Sequence, residues 1–104
     1  MVYLSGPMTG YPEHNFPAFF DAEARLESHG HKVTNPARLN SIGTPWDQCM
    51  RIDLRLLLDP QVTGLAFLPG WETSHGARLE VLVADGLGLP TGSVDEWLDG
   101  VFDA

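Results

Sequence analysis

Short apolar runs alternate along this chain with amphipathic stretches, and turn residues separate the two. Residues 1–4, 31–34 and 61–68 have the length and apolar character of buried strands. Residues 88–91 are predicted as a fourth extended segment, either a short strand or an edge. The pattern therefore predicts a chain of short strands with stretches of helical period between them.

Four stretches place apolar residues at three- and four-residue intervals, which is the period of an amphipathic helix. They cover residues 15–29, 44–58, 74–86 and 93–102. Residues that favour helix N-caps stand at the four starts: Asn15, Thr44, Ser74 and Ser93. Pro45 suits the first position of the second helix. Residues 37–44 show no period and are predicted as the most mobile loop.

Because strands and helices alternate, we expect an α/β fold, a small doubly wound parallel sheet of the flavodoxin or Rossmann-like kind. It should contain four to five strands with helices on both faces, in a single domain over residues 1–104. Residues 91–104 hold a terminal helix that is a candidate interface. Ligands of such sheets bind beyond the carboxyl ends of the strands, where residues 5–10, 35–44 and 68–74 converge.

An acidic residue stands on the predicted inward stripe of the third helix. Glu80 shares that stripe with small and apolar residues: Gly76, Ala77, Val83, Ala84 and Leu87. A carboxylate facing the core is costly unless it is paired, hydrogen-bonded or open to a cavity, and such acids are candidates for chemistry. The alternative is an acid at the edge of the helix whose side chain reaches water.

The second helix repeats this feature. Asp47, Arg51 and Arg55 mark its solvent face, and the opposite stripe contains Trp46, Met50, Asp53, Leu54 and Leu57. Asp53 could instead cap the helix or pair with an arginine, but two inward acids on adjacent helices favour one shared cavity. Two carboxylates near a sugar can divide nucleophilic and acid–base work. Tyr3, on the first strand, either orients one of them or packs in the core.

The loops after the first and third strands supply the candidate substrate-binding residues: Ser5, Gly6, Pro7, Met8, Gly70, Trp71, Ser74 and Gly76. Met8 and Trp71 could flank a planar base, although packing is the alternative. Ser74 could offer its hydroxyl and a helix N-terminus to an anion, or serve only as a cap. The first loop lacks the glycine pattern of dinucleotide-binding folds.

Composition narrows the class of partner. The net charge of −8, from 14 acidic residues against 6 Lys plus Arg, argues against a nucleic acid polymer. No apolar run approaches membrane-spanning length and no signal peptide is recognisable, while the single Cys49 excludes an internal disulfide, so a cytoplasmic location is expected. The four histidines lack metal-ligand spacing, and neither a metal nor another cofactor is expected.

Several of these segments together resemble the nucleoside 2-deoxyribosyltransferase-like superfamily, in its branch of small phage and bacterial proteins. They are residues 3–10, 15–19, 30–33, 35–37, 50–54 and 68–80. The resemblance extends over residues 2–90 and includes related deoxynucleotide N-glycosidases.

The resemblance implies roles for individual residues. Glu80 takes the position of the helix-borne glutamate that attacks the anomeric carbon of a deoxynucleoside or deoxynucleotide. Asp53 takes that of an assisting aspartate, and Tyr3 that of a tyrosine touching the glutamate. Ser74 corresponds to the serine that contacts the 5′-phosphate in the N-glycosidases, whereas Thr9 stands where those hydrolases have an arginine.

The sequence therefore predicts an N-glycosidase or N-deoxyribosyltransferase that cleaves a small nucleoside or 5′-monophosphate through a covalent Glu80 intermediate. One alternative is a protein that binds or sequesters such a ligand without turnover, and another is a subunit with a role in assembly. The base, ribose against deoxyribose, and hydrolysis against transfer stay open at this point.

Uncovered apolar positions predict a homo-oligomer. Leu79 and Leu82 lie away from the Glu80 stripe, and the terminal helix presents an apolar face of Trp97, Leu98, Val101 and Phe102. A symmetric dimer through the third helix would cover this surface. A terminal helix folded onto its own third helix would instead leave a monomer.

Overall fold

Four short strands form a parallel sheet in the computed structural model, which describes residues 1–103. In chain order they are β1 (Val2–Ser5), β2 (Val33–Thr34), β3 (Gly64–Phe67) and β4 (Thr91–Ser93). Their order across the sheet is β2-β1-β3-β4, and the register sets Tyr3 of β1 opposite Thr34 on one side and Leu65 on the other. The α/β class with a parallel sheet is confirmed.

Helices cover both faces of this sheet. They are α1 (Phe16–Ser28), α2 (Trp46–Leu57), α3 (His75–Gly86) and α4 (Val94–Leu98). Val2 and Leu4 belong to a core cluster with α1 and α4, whereas Tyr3 belongs to a second cluster with α2 and α3. Because side chains alternate along a strand, Ser5 lies on the same face as Tyr3.

The connections after β1 and β3 lead to opposite faces of the sheet. The connection after β1 leads to α1 on one face, and the connection after β3 leads to α3 on the other. Since β1 and β3 are neighbours, their carboxyl ends frame a crevice, which is the usual position of a ligand site in such sheets.

The boundaries of several elements differ from the prediction. Asn15 occupies the N-cap position of α1 as predicted, but its backbone is left-handed and its side chain makes no cap bond. Its side-chain amide donates instead to the carbonyl of Pro7 at 2.8 Å. Pro45 rather than Thr44 is the N-cap residue of α2, and no side chain caps that end. Ser74 and Ser93 cap α3 and α4 as predicted, Ser93 in a capping box with Glu96.

The terminal helix packs on its own chain. Trp97 is buried and its indole N–H donates to the carbonyl of Leu65 at 2.9 Å, while Phe102 packs on the Trp97 ring. The predicted apolar face is wrong at Val101, which is 59% exposed, because α4 ends at Leu98 and its period does not continue. Nor does α4 cover α3, since it packs beside α1 on the opposite face of the sheet.

The outer surface of α3 stays uncovered and still predicts a dimer. Leu82 of α3 is 67% exposed. Leu87, which was predicted on the inward stripe with Glu80, is 55% exposed because α3 ends at Gly86 and its period does not continue. We expect light scattering at micromolar concentration to give a mass near twice 11.4 kDa, and Leu82→Lys to reduce it to that of the monomer because a charge cannot be buried at the contact. Val101→Lys, which changes an exposed apolar residue elsewhere, should leave the mass unchanged. A wild-type mass near 11.4 kDa would contradict the dimer.

Within residues 1–103, none of the helices is long and apolar enough to cross a membrane.

Candidate functional site

A cavity of about 300 Å³ opens at the carboxyl end of the sheet, against α2 and α3. Two carboxylic acids, Asp53 from α2 and Glu80 from α3, are part of its wall. Both side chains are buried, Asp53 being 6% exposed and Glu80 4% exposed. The inward stripes of the two helices thus bring two acids to one cavity.

Glu80 is held by two hydroxyl groups of β1. The Tyr3 hydroxyl donates to Glu80 Oε2, and the Ser5 hydroxyl donates to Glu80 Oε1 at 2.7 Å. Tyr3 and Ser5 reach the same carboxylate because they are two residues apart on one strand and therefore share a face. Both oxygens of Glu80 are fixed in direction, and the wall of the cavity still includes this residue.

Burial dominates the titration of this group. Burial raises the pKa of Glu80 to about 8. The hydrogen bonds from Tyr3 and Ser5 favour the carboxylate and oppose this rise, whereas the negative charge of nearby Asp53 adds to it. Burial also raises the pKa of Tyr3 well above its usual value, and the negative charge of Glu80 adds to that effect. Tyr3 therefore stays a hydroxyl donor at every pH at which the protein would work.

Asp53 is oriented by a residue from the loop between β2 and α2. The amide of Asn40 donates to Asp53 Oδ1 at 2.7 Å and to the carbonyl of Pro36 at 2.9 Å. Burial raises the pKa of Asp53 to about 6, and the hydrogen bond from Asn40 opposes that rise. The role of Asn40 was not predicted. It lies in a loop without periodicity, where the sequence indicates only a position near the crevice.

The α2 side of the cavity is largely apolar. Met50 and Trp46 line it, and Trp46 stacks on His75 with ring centroids 4.8 Å apart and an interplanar angle of 14°. Trp46 was predicted to face the core, but it is 46% exposed because it begins α2 at the edge of the cavity. A side chain at Gly76 would meet the Met50 sulfur at 3.1 Å, so glycine keeps this wall close-packed.

The connection after β1 forms the opposite wall, to which Gly6, Met8, Thr9 and His14 contribute. A Cβ at Gly6 would lie 2.8 Å from Cβ of Leu68, so the approach of the two connections requires glycine.

A strained turn joins this wall to α1. Glu13, His14 and Asn15 are consecutive residues with positive φ, at 52°, 58° and 61°. A left-handed backbone costs an L residue roughly 1–2 kcal/mol, although His and Asn adopt it more readily than most.

Ser74 combines the two roles considered for it. Its hydroxyl accepts from the backbone N–H of Ala77 at 3.2 Å, as an N-cap, and the residue also lines the cavity. As an acceptor from Ala77, the hydroxyl still has its own proton to donate to a ligand. Ser74 and Gly76 are therefore placed at the cavity together with Gly6 and Met8.

Four of the eight predicted binding residues do not line this cavity: Ser5, Pro7, Gly70 and Trp71. Ser5 is fully buried and reaches the cavity only through its hydrogen bond to Glu80. Gly70 and Trp71 border a separate depression, where Trp71 packs on Phe67 with ring centroids 4.6 Å apart. Gly70 has a left-handed backbone and precedes the 3₁₀ turn that contains Trp71. Pro7 is buried and contributes its carbonyl to Asn15 rather than a surface to the cavity.

Cys49 also lines the cavity, and its thiol donates to the carbonyl of Thr44 at 3.6 Å. Burial raises the pKa of this thiol, which keeps it protonated. Among residues 1–103, no three side chains of the His, Cys, Asp and Glu types are grouped to hold a metal ion.

Comparison with known proteins places the chain in one family. No curated protein matches the sequence. Residues 1–92, which include every residue named at the cavity, match a family described as a domain of unknown function, DUF4406. The chain belongs to the DUF4406 family.

Proposed function

We propose that this protein is an N-glycosidase or N-deoxyribosyltransferase related to the nucleoside 2-deoxyribosyltransferase-like superfamily, acting on a small deoxynucleoside or its 5′-monophosphate. The observation that carries the proposal is Glu80, a buried acid at the cavity with one hydroxyl donor on each carboxylate oxygen. Such an acid cannot be explained by pairing with a base, because both of its hydrogen-bond partners are neutral. Its environment suits a nucleophile whose approach to a sugar is fixed in advance.

In the proposed first step, a Glu80 oxygen forms a bond to the anomeric carbon while the bond from that carbon to the base nitrogen breaks. The bonding electron pair leaves with the base, and Asp53 in its protonated form supplies the proton. Water or a second base then attacks the anomeric carbon, the ester bond to Glu80 breaks, and the proton of the incoming group returns to Asp53. This division of labour is that of a retaining glycosidase.

Near neutral pH the pKa values of the two acids favour the reverse of the required state in the free site, so the reactive form, with Glu80 ionised and Asp53 protonated, is a minor population. The pKa of Asp53, about 6, leaves part of this group protonated near neutral pH. Positive charge develops on the sugar in the transition state, which favours the ionised form of Glu80 at the moment when it must attack. The hydroxyls of Tyr3 and Ser5 already point at the carboxylate and need no reorganisation.

The test is incubation with the four common deoxynucleosides and their 5′-monophosphates, with free base measured by chromatography. Release of base by the wild type supports the proposal, and a second base added in excess distinguishes transfer from hydrolysis. A folded protein that releases no base from any of the eight compounds contradicts it. The proposal also assigns the protein to the cytoplasm, where such substrates occur.

Substitution of Ser74 by alanine should weaken the binding of monophosphates more than the binding of nucleosides. A charge-assisted hydrogen bond contributes about 1.5–3 kcal/mol, so the affinity for monophosphates should fall roughly tenfold to a hundredfold. Loss of the cap should cost about 1 kcal/mol of stability. Ser93→Ala removes the cap of α4 outside the cavity and is the matched control, expected to lose stability but not affinity. Equal losses of affinity for nucleosides and monophosphates would show that Ser74 acts only as a cap.

A second candidate, a binding protein without turnover, is favoured by one observation. With a pKa of about 8, Glu80 in the empty site is mostly protonated near neutral pH, and a neutral carboxyl is a hydrogen-bond donor rather than a nucleophile. Such a protein would bind nucleosides or nucleotides tightly and release no base. Calorimetric titration beside the base-release assay separates the two candidates.

A further inference from the structure

His14 occupies a special position among the side chains of the cavity. Two carboxyl groups, Asp53 and Glu80, belong to the wall. Among the described residues that line it, His14 is the one whose side chain can carry a positive charge, since neither lysine nor arginine contributes. At that wall, an imidazole N–H can donate to an acceptor oxygen of a ligand.

The turn that carries His14 is fixed by contacts on both sides. The backbone N–H of His14 donates to the carbonyl of Tyr11 at 3.0 Å, and that of Tyr11 donates to the carbonyl of Met8 at 3.1 Å. The Asn15 side chain donates to the carbonyl of Pro7 at 2.8 Å. The imidazole lies edge-on to the ring of Phe16, with centroids 5.6 Å apart and an interplanar angle of 77°.

The left-handed backbone of this turn does not serve the following helix. Asn15 stands at the start of α1, yet its side chain makes no cap bond there. The three consecutive positive φ values therefore bring no cap bond to α1. The same turn places His14 in the wall of the cavity. Strained backbone that neighbouring contacts maintain is typical of functional positions.

We propose that His14 is a specificity-determining residue that binds the 5′ oxygen of the substrate sugar, as a hydroxyl or as a phosphate. The inference rests on the proposed function, because it assumes a nucleoside or nucleotide in the cavity. The connection after β1 also brings Thr9 to the cavity, but the side chain of Thr9 is neutral. The proposal therefore gives recognition of the 5′ oxygen to His14. Asn15 is a positioning residue, acting through the turn.

The experiment is calorimetric titration in a Glu80→Gln background, which prevents turnover. The probes are the four deoxynucleosides, their 5′-monophosphates and the corresponding 2′,5′-dideoxynucleosides, which lack the 5′ oxygen. His14→Asn keeps a residue that tolerates a left-handed backbone but shortens the side chain. His29→Asn, at an exposed histidine after α1, is the matched control.

If the partner of His14 is phosphate, we expect His14→Asn to lower the affinity for monophosphates about tenfold or more and the affinity for nucleosides by less. Equal losses for both, several-fold each, identify the 5′-hydroxyl as the partner. In either case the 2′,5′-dideoxynucleosides should bind the variant and its parent equally. Affinities that stay within twofold for every probe, or a loss that persists for the 2′,5′-dideoxynucleosides, would overturn the assignment of His14.

Asn15→Gly tests the turn itself, because glycine keeps the positive φ without strain and removes the amide that holds Pro7. Its losses should parallel those of His14→Asn, and affinities equal to the parent's would overturn the positioning role. The wild-type base-release assay separates this inference from the proposed function. Base release by the wild type with no effect of His14→Asn sinks the inference alone, whereas the absence of both binding and base release contradicts both.

Discussion

A Glu80→Gln variant is expected to release free base about a thousandfold more slowly than the wild type, or not measurably, while keeping the fold. A glutamine oxygen cannot form the ester to the anomeric carbon that the proposed mechanism requires, and loss of a covalent nucleophile reduces turnover by several orders of magnitude. The variant should fold because its shape is that of glutamate. The hydroxyls of Tyr3 and Ser5 can rotate to donate to the amide oxygen or accept from its nitrogen.

The measurement is base release under single-turnover conditions, with circular dichroism to establish that the variant is folded. Glu72→Gln changes an exposed acid in the 3₁₀ turn before α3 and should leave the rate unchanged. If folded Glu80→Gln retains activity within tenfold of the wild type, Glu80 is not the nucleophile. A wild type that binds ligands but releases no base, with only a modest change of affinity in Glu80→Gln, would instead favour the binding protein.

The two acids could be predicted because periodicity alone decides which way they point. Glu80 and Asp53 each stand among apolar residues at helical spacing, so they had to face the sheet if the helices formed. The alternation of β1 likewise puts Tyr3 and Ser5 on one face, toward α2 and α3. Such arguments use regular geometry and need no knowledge of distant contacts.

The loop residues could not be predicted in the same way, because their conformations depend on contacts between segments far apart in sequence. Asn40 reaches Asp53 across thirteen positions, from a loop without a period. Asn15 was interpreted as a cap, but its backbone is left-handed and its side chain makes no cap bond, while its amide N–H donates to the carbonyl of Pro7. Trp71 belongs to a loop that contributes Ser74 to the cavity, yet its ring packs on Phe67 instead.

The packing partner of the terminal helix could not be predicted from the hydrophobic pattern. Its apolar residues predicted a buried face correctly at Trp97, but an amphipathic pattern does not name the surface that it will cover. Here the carbonyl of Leu65 and the space beside α1 decide the partner. Trp97 of the candidate interface is thereby used inside the chain, whereas Val101 beyond the helix and Leu82 of α3 are among the apolar residues that stay exposed.

The second large effect concerns stability and pH. In the folded protein the pKa of Glu80 is raised from its ordinary 4.5 to about 8, chiefly by burial. Between these two values the folded state binds more protons than the unfolded state, so the free energy of unfolding falls as pH rises. The contribution is fully present below the unfolded pKa and is lost as pH rises through about 8. Glutamine resembles the protonated form and has no such dependence.

We therefore expect wild type and Glu80→Gln to be similarly stable near pH 5 and the variant to be more stable by about 2 kcal/mol or more at pH 8. The slope of their difference cannot exceed about 1.4 kcal/mol per pH unit, the value for one proton. Urea unfolding at intervals of half a pH unit measures it directly, and taking the difference cancels every group that titrates alike in both proteins. Asp85→Asn removes an exposed acid from the same helix and should give a difference that does not change with pH. If the difference for Glu80→Gln is equally flat, Glu80 titrates as it would in water, and the proposed site loses the buried acid on which its chemistry depends.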